Sequence, residues 1–238
     1  MGFELQFTDK EITLWGGMGL MKRLLDRIGF ESVWRRCGLP EPGSNCGYRS
    51  EQLITQFMLS VWCGANRFEH HEVTRHDPVL QRLFGFKRMA NFKAVMRLFR
   101  KFSPARNEQV MNTLHRWWFT QWSVDGLTLD LDSTVMTRYG AQQGYNPRKP
   151  GRASHHPLMA FISDPRMVAN FWLRPGDAHT ANNSESFLDS TLDRLGDQQV
   201  ALLRADSGFG SQRFLEALET RPLHYIVVLP LMHLYSAP

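Results

Sequence analysis

The chain has 238 residues, 42% of them hydrophobic and 12% aromatic, enough for one large domain or two modest ones and too apolar for a generically disordered chain. Its formal charge of +5 favours a polyanionic partner.

Up to about residue 123 the pattern is helical. Residues 19–28 carry apolar side chains at helical spacing, and a Gly/Pro-rich loop spans Gly38 to Gly47. Ser50 is expected to cap the next helix, whose apolar positions Leu53, Ile54, Phe57, Met58 and Val61 keep a three-to-four period. Asp77-Pro78 opens a short helix that stops at Gly85. Asn91 is expected to cap a further helix with an apolar stripe of Phe92, Val95, Met96, Phe99 and Phe102.

The texture changes near Gly126. Leu127, Leu129 and Leu131 alternate with Thr128, Asp130 and Asp132, a strand pattern. A loop rich in Gly, Pro and Arg runs from Arg138 to Arg152. Apolar runs at 158–163 and from Met167 to Leu173 follow, separated by a turn. A helix beginning at Ser184 or Glu185, a strand from Val200 ending at Asp206, a helix capped by Ser211 and a strand from His224 to Leu229 complete the order. Three antiparallel strands followed by strands that return through helices predict a mixed sheet in an α/β (α+β) fold. Residues 1–123 are read as a helical N-terminal region and 124–238 as the sheet domain.

Three cysteines, Cys37, Cys46 and Cys63, with no CxxC pair, argue against a disulfide framework or a structural zinc site. A reducing cytoplasm fits. The first residues lack a basic start followed by an apolar run, and no stretch approaches the roughly 20 apolar residues of a membrane span. A soluble, intracellular protein is expected.

Asp130 and Asp132 are two apart on one strand and share the face opposite the leucines. Asp206 also ends an apolar strand, and Gly208 and Gly210 permit a tight turn after it. In the inferred topology the two strands are neighbours. Carboxylates on neighbouring strand ends repel each other, and Mg2+ (or Mn2+), which prefers oxygen ligands, relieves the repulsion. Two such ions can hold the attacking and leaving oxygens of a phosphodiester displacement. Asp206 taken alone reads equally as a cap or turn residue.

Taken together, these segments resemble bacterial insertion-sequence DDE transposases of the group 1 type. Leu129-Asp130-Leu131-Asp132-Ser133-Thr134 resembles the first carboxylate motif, and Leu203-Arg204-Ala205-Asp206-Ser207-Gly208-Phe209 the second. Between them, Tyr139-Gly140, Gln143-Gly144-Tyr145-Asn146-Pro147, Gly151-Arg152, His156-Pro157-Leu158, Arg174-Pro175-Gly176-Asp177 and His179-Thr180-Ala181-Asn182 follow in the family's order. Upstream, His76-Asp77-Pro78-Val79-Leu80 and Leu83-Phe84-Gly85 match its helical region.

The resemblance implies a ribonuclease-H-like core and magnesium-dependent cutting and joining of double-stranded DNA at transposon terminal inverted repeats and target sites. It makes Asp132 and Asp206 the first two catalytic, metal-binding acids, with Asp130 a neighbour supporting the metal site. It also implies an oligomer assembled on DNA, in the cytoplasm at the nucleoid. The family's third acid is a glutamate on a helix well downstream of the second. Glu216 and Glu219 follow Asp206 too closely, and the sequence reaches Pro238 soon after the last strand. A C-terminally truncated or frame-shifted copy is therefore expected, inactive unless that glutamate is supplied. The alternative is a DNA-binding remnant or regulator of a full-length transposase.

Two basic segments are candidate DNA contacts. Between Lys87 and Arg106 there is no acidic residue, and the helix after Asn91 aligns Lys93, Arg97 and Arg100 or Lys101 opposite its apolar stripe, like the second helix of a helix–turn–helix unit. The loop after the first carboxylate strand carries Arg138, Arg148, Lys149 and Arg152, followed by His155 and His156. Each segment also fits an ordinary solvated surface.

Asp130-Leu131-Asp132-Ser133-Thr134 matches the DxDxT pattern of haloacid-dehalogenase-type phosphatases as well, with Asp130 as nucleophile. That alternative predicts a helix after the motif, a later lysine and a late acidic pair, whereas a basic loop follows here. His71-Glu72 is not an HExxH zinc motif, because Arg75 stands where the second histidine belongs. Trp117, Trp118 and Trp122 read as core packing.

Overall fold

A computed structural model describes residues 9–43, 47–123, 125–137 and 153–229. The basic loop with Arg138, Arg148, Lys149 and Arg152, and Cys46, lie outside the described residues. The chain divides at Leu114/His115 into two compact units.

The first unit is helical among its described residues: α1 (Met18–Arg27), α2 (Phe30–Arg36), α3 (Ser50–Trp62), a 3-10 turn (Phe68–His70), α4 (His71–Arg75), α5 (Pro78–Leu83) and α6 (Phe92–Phe99). The division falls inside a longer helix, α7 (Pro104–Phe119). Two expected caps are present. Asp77 accepts the Leu80 N–H at 2.8 Å with Pro78 at the first helical position, and Asn91 accepts the Ala94 N–H at 3.0 Å. Gly85 adopts a left-handed φ of 69°, a conformation that glycine takes without the backbone strain of other residues, and lets the chain leave α5.

Ser50 corrects the reading of α3. It is the first helical residue, and its buried hydroxyl donates to the Pro40 carbonyl at 2.5 Å instead of capping the helix. The helix–turn–helix expectation is corrected too. Residues 84–91 separate α5 from α6, longer than the three- or four-residue turn of that motif, and α6 packs chiefly on α3 and the 3-10 turn. Its buried positions are Ala94, Val95 and Leu98, while Phe99 packs edge-on against Phe57 and Phe68. Met96 and Phe92 are only half-buried.

The second unit holds a five-stranded mixed sheet built from β1 (Leu127–Ser133), β4 (Leu158–Ile162), β5 (Met167–Trp172), β6 (Val200–Ala205) and β7 (His224–Val227), in the order β5-β4-β1-β6-β7. A short hairpin pairs β2 (Met136–Thr137) with β3 (Ser154–His155). β5, β4 and β1 are antiparallel neighbours, whereas β1, β6 and β7 run parallel. This is the mixed sheet predicted from the order of strands and helices.

The parallel strands return through α8 (Ser184–Leu195) and α9 (Gln212–Glu219). Ser211 caps α9 by accepting the Phe214 N–H at 3.3 Å. Leu127, Leu129, Leu131, Leu158, Ala160, Ile162 and Leu203 form one core with Phe187, Leu188 and Leu195 of α8 and Phe214 and Leu218 of α9. Trp118 and Trp122 pack against its margin. Burial of a leucine at this level contributes roughly 1.5–3 kcal/mol. The leucines of β1 thus anchor one face of the strand, and the alternation turns Asp130 and Asp132 to the other. No helix among the described residues is long and apolar enough to cross a membrane.

Candidate active site

The parallel ladder between β1 and β6 sets the geometry. Leu129 pairs with Leu203, Asp130 with Arg204 and Leu131 with Ala205. Asp132 and Asp206 are the next residues along the chain from that last pair, Asp132 still paired with Met159 of β4 and Asp206 just past the end of β6, at the carboxyl end of both strands, where sites in such sheets commonly form. Both are exposed. One oxygen of Asp132, Oδ1, accepts the Ser133 N–H at 2.7 Å. Asp206 caps a 3-10 turn (Ser207–Phe209), its Oδ1 accepting the Gly208 N–H at 3.0 Å. The cap reading of Asp206 is therefore correct, and it is compatible with a site: a single N–H orients the carboxylate without neutralising it.

Gly208 is needed for that approach. A Cβ there would lie 2.9 Å from Thr180 Cγ2 and 3.0 Å from Asp206 Oδ1.

Asp130, expected beside the metal, pairs with Arg204. Arg204 grips it through Nε at 2.6 Å and Nη2 at 2.8 Å and also donates to Ser163 Oγ at 3.0 Å. Hydrogen bonding to Asp130, then its charge, raises the Arg204 pKa above its ordinary value. In this bidentate pair both oxygens of Asp130 face a guanidinium. It also covers the oxygen that would attack in a DxDxT phosphatase.

A polar array, built from motif residues to which the sequence assigned no role, flanks the carboxylates. Ser133 Oγ lies 2.9 Å from Thr180 Oγ1 and 3.2 Å from His156 Nε2, and His156 Nδ1 lies 2.6 Å from the Ala178 carbonyl. Buried Arg174 donates from Nε to the His156 carbonyl at 3.0 Å, and from Nη1 to those of His179 at 3.0 Å and Asn182 at 2.8 Å. Burial lowers the Arg174 pKa. The visible signal was the density of polar residues at 154–156 and 179–184. The sequence groups His156 with the basic loop, but its ring points into this array.

In the helical unit, Lys93, Arg97, Arg100 and Lys101 are all exposed. None of the four forms a salt bridge among the described residues; Lys101 Nζ donates to the Glu41 carbonyl at 2.8 Å. His71 is buried, with Nδ1 2.5 Å from Ser60 Oγ. Burial lowers its pKa, and no group of three or more His, Cys, Asp or Glu side chains suited to a metal occurs among the described residues.

A family model described as transposase DDE domain, group 1, matches residues 2–233. Comparison with curated protein sequences finds no match. Among solved structures, the chain is similar to a piggyBac transposase synaptic complex with hairpin DNA, at a TM-score of 0.42 and 17% identity, covering 92% of this chain and 52% of that one. It is also similar to a Drosophila P element transposase strand transfer complex, with a TM-score of 0.35, 10% identity, and 88% and 48% coverage. A third is the Mos1 mariner paired end complex with Mn, with a TM-score of 0.32, 12% identity, and 89% and 72% coverage. The chain thus spans about half the length of the solved piggyBac and P element chains.

Proposed function

The chain belongs to the transposase DDE domain group 1 family, and from that premise we propose that it acts on double-stranded DNA at the ends of an insertion sequence, with Asp132 and Asp206 as two acids of a divalent-cation site. The reading rests above all on the parallel pairing of Leu131 with Ala205, which brings the next residue of each strand to the same sheet edge. Two oxygen-bearing, exposed carboxylates suit Mg2+ or Mn2+ and do not suit a thiophilic metal. When bound, such a cation supplies Lewis acidity to the attacking and leaving oxygens of a phosphodiester.

The chain's own residues do the rest. The Ser133 and Gly208 amides orient the two carboxylates. The Asp130–Arg204 pair closes the same sheet face two residues below and keeps β1 and β6 in register. Lys93, Arg97, Arg100 and Lys101 present cations to phosphates, and Arg138, Arg148, Lys149 and Arg152 lie in sequence directly after the Asp132 strand. Contacts of this kind position DNA without reading its sequence and weaken steeply with salt. Assembly as an oligomer on paired ends, in the cytoplasm at the nucleoid, belongs to the same proposal, as does a helical DNA-binding region over 1–123 ahead of the core at 124–238.

The test is strand cleavage of DNA carrying the element's own terminal repeats, in Mg2+ and in Mn2+, by the wild type, Asp132→Asn and Asp206→Asn. Both substitutions are expected to abolish cleavage and leave DNA affinity unchanged. Cleavage retained by either variant overturns the site assignment. A wild type that binds the DNA with strong salt dependence yet never cuts it indicates a DNA-binding regulator instead.

A further inference from the structure

We propose that His156 is a positioning residue: acting through Ser133 and Thr180, it holds the Asp132 and Asp206 carboxylates at the spacing a small divalent cation takes. The inference rests on the two-carboxylate reading above and gives His156, which the sequence groups with the basic segment, a role at the carboxylates instead.

The hydrogen-bond directions follow from one carbonyl. Ala178 O can only accept, so His156 Nδ1, 2.6 Å away, carries the proton. The neutral ring then has a bare Nε2, which accepts the Ser133 hydroxyl at 3.2 Å. Ser133 has no second proton to give, so Thr180 Oγ1 donates to Ser133 Oγ at 2.9 Å. The orientation of three side chains is set by the tautomer of one histidine.

Each end of this relay meets a carboxylate. Ser133 also donates its backbone N–H to Asp132 Oδ1 at 2.7 Å. At the other end, Thr180 abuts the turn that holds Asp206: a Cβ built on Gly208 would be 2.9 Å from Thr180 Cγ2, and the Gly208 amide itself is 3.0 Å from Asp206 Oδ1. The ladder between β1 and β6 ends with Leu131 and Ala205. Beyond that pair, the relay links the two strand ends. Arg174 braces it by binding the carbonyls of His156, His179 and Asn182, which fixes both the ring's backbone and the turn that carries Thr180. Groups that orient metal ligands in this way govern affinity without touching the ion.

Substitution can separate the two ring nitrogens. An asparagine amide reaches the position of Nδ1 and keeps the bond to Ala178, but loses Ser133. A glutamine side chain reaches the position of Nε2 and keeps Ser133. The experiment is titration of the full chain with Mn2+ alone, followed by electron paramagnetic resonance of the free ion, with thermal unfolding of each variant alongside. His156→Asn is expected to weaken Mn2+ binding about tenfold, and His156→Gln to restore it to within about twofold of the wild type. Both are expected to melt close to the wild type.

A His156→Asn affinity equal to the wild type's, or an equal loss in His156→Gln, overturns the proposal. Should His156→Asn fail to fold, Ser133→Ala removes only the relaying hydroxyl and is expected to show the same loss; undiminished affinity there is equally fatal. Asp132→Asn identifies the titrated site. Binding that Asp132→Asn abolishes but His156→Asn spares rejects His156 alone. A wild type that takes up no Mn2+ rejects the carboxylate site and this inference together.

Discussion

Leu131 of β1 pairs with Ala205 of β6 in a parallel ladder, and the residue after each is an exposed aspartate. A one-residue slip of either strand would separate the two carboxylates along the sheet and turn one of them toward the leucine core. The register is held from below by Arg204, whose two nitrogens grip Asp130 across the same pair of strands. A bidentate ion pair and an apolar core therefore specify one alignment together.

Gly208→Ala tests how closely the Asp206 turn is packed. The new methyl would fall 2.9 Å from Thr180 Cγ2 and 3.0 Å from Asp206 Oδ1, so the threonine or the carboxylate must move. The expected outcome is a loss of Mn2+ affinity of about tenfold or more, with a much smaller change in thermal stability, since Asp206 and Gly208 lie at the surface of the unit. Calorimetric titration beside a melting curve checks it. An affinity equal to the wild type's would mean that Asp206 is not held where cation binding needs it.

Lys93→Ala and Arg97→Ala are expected to weaken DNA binding on specific and unrelated sequences alike. Each should make the slope of log affinity against log salt shallower by about 1. Both side chains are exposed on α6, opposite buried Ala94, Val95 and Leu98, so folding should be unaffected. Fluorescence anisotropy over a salt series reads the slope. An unchanged slope in both variants assigns this face to plain solvent.

His115 makes the sheet unit acid-sensitive. Burial, then the charge of Arg194, pushes its pKa from 6.5 down to about 4. The unfolded chain therefore binds a proton near pH 6.5 that the folded chain refuses until about pH 4. This contribution is fully present above pH 6.5 and is lost as pH falls from there to about 4, on the order of 3 kcal/mol in all. His115→Gln should flatten the fall in melting temperature over that window. An equally steep fall in the variant would assign the acid sensitivity to other groups.

Asn91→Ala should destabilise the protein by about 1 kcal/mol through loss of the bond to the Ala94 amide. The second anchor of that helix end persists: Glu72 Oε1 accepts the Phe92 N–H at 3.0 Å. Burial works against ionisation of Glu72, but the Phe92 amide and Arg75 outweigh it and hold its pKa below the usual carboxylate range. Chemical denaturation of Asn91→Ala measures the loss, and a variant as stable as the wild type would mean that Glu72 alone caps α6.

Much of this was legible in local pattern. The alternation from Leu127 to Asp132, the caps Asp77, Asn91 and Ser211, and the strand ending at Asp206 depend on side chains within a few residues, where period and hydrogen-bonding reach decide. Ser50 misled because a hydroxyl at a helix start is read as a cap, whereas a carbonyl ten residues earlier, Pro40 O, claims it. The basic run after Asn91 was visible, but its resemblance to a helix–turn–helix unit failed on the length of the segment between α5 and α6.

By itself, then, the sequence determined the mixed order of strands and helices, the polar face of β1, and two carboxylates at strand ends, because each follows from periodicity and short-range chemistry. Only the tertiary structure decided how the neighbours of those carboxylates are used. Arg204 lies 74 residues from Asp130, Thr180 lies 47 from Ser133, and His156 lies 23 from Ser133. Hydrogen bonds across such separations depend on strand register and on the path of the turn from Arg174 to Asn183, which no local pattern encodes. That is why the Arg204 partner of Asp130 is invisible in the sequence, and why His156 reads as part of a basic loop and stands beside the carboxylates.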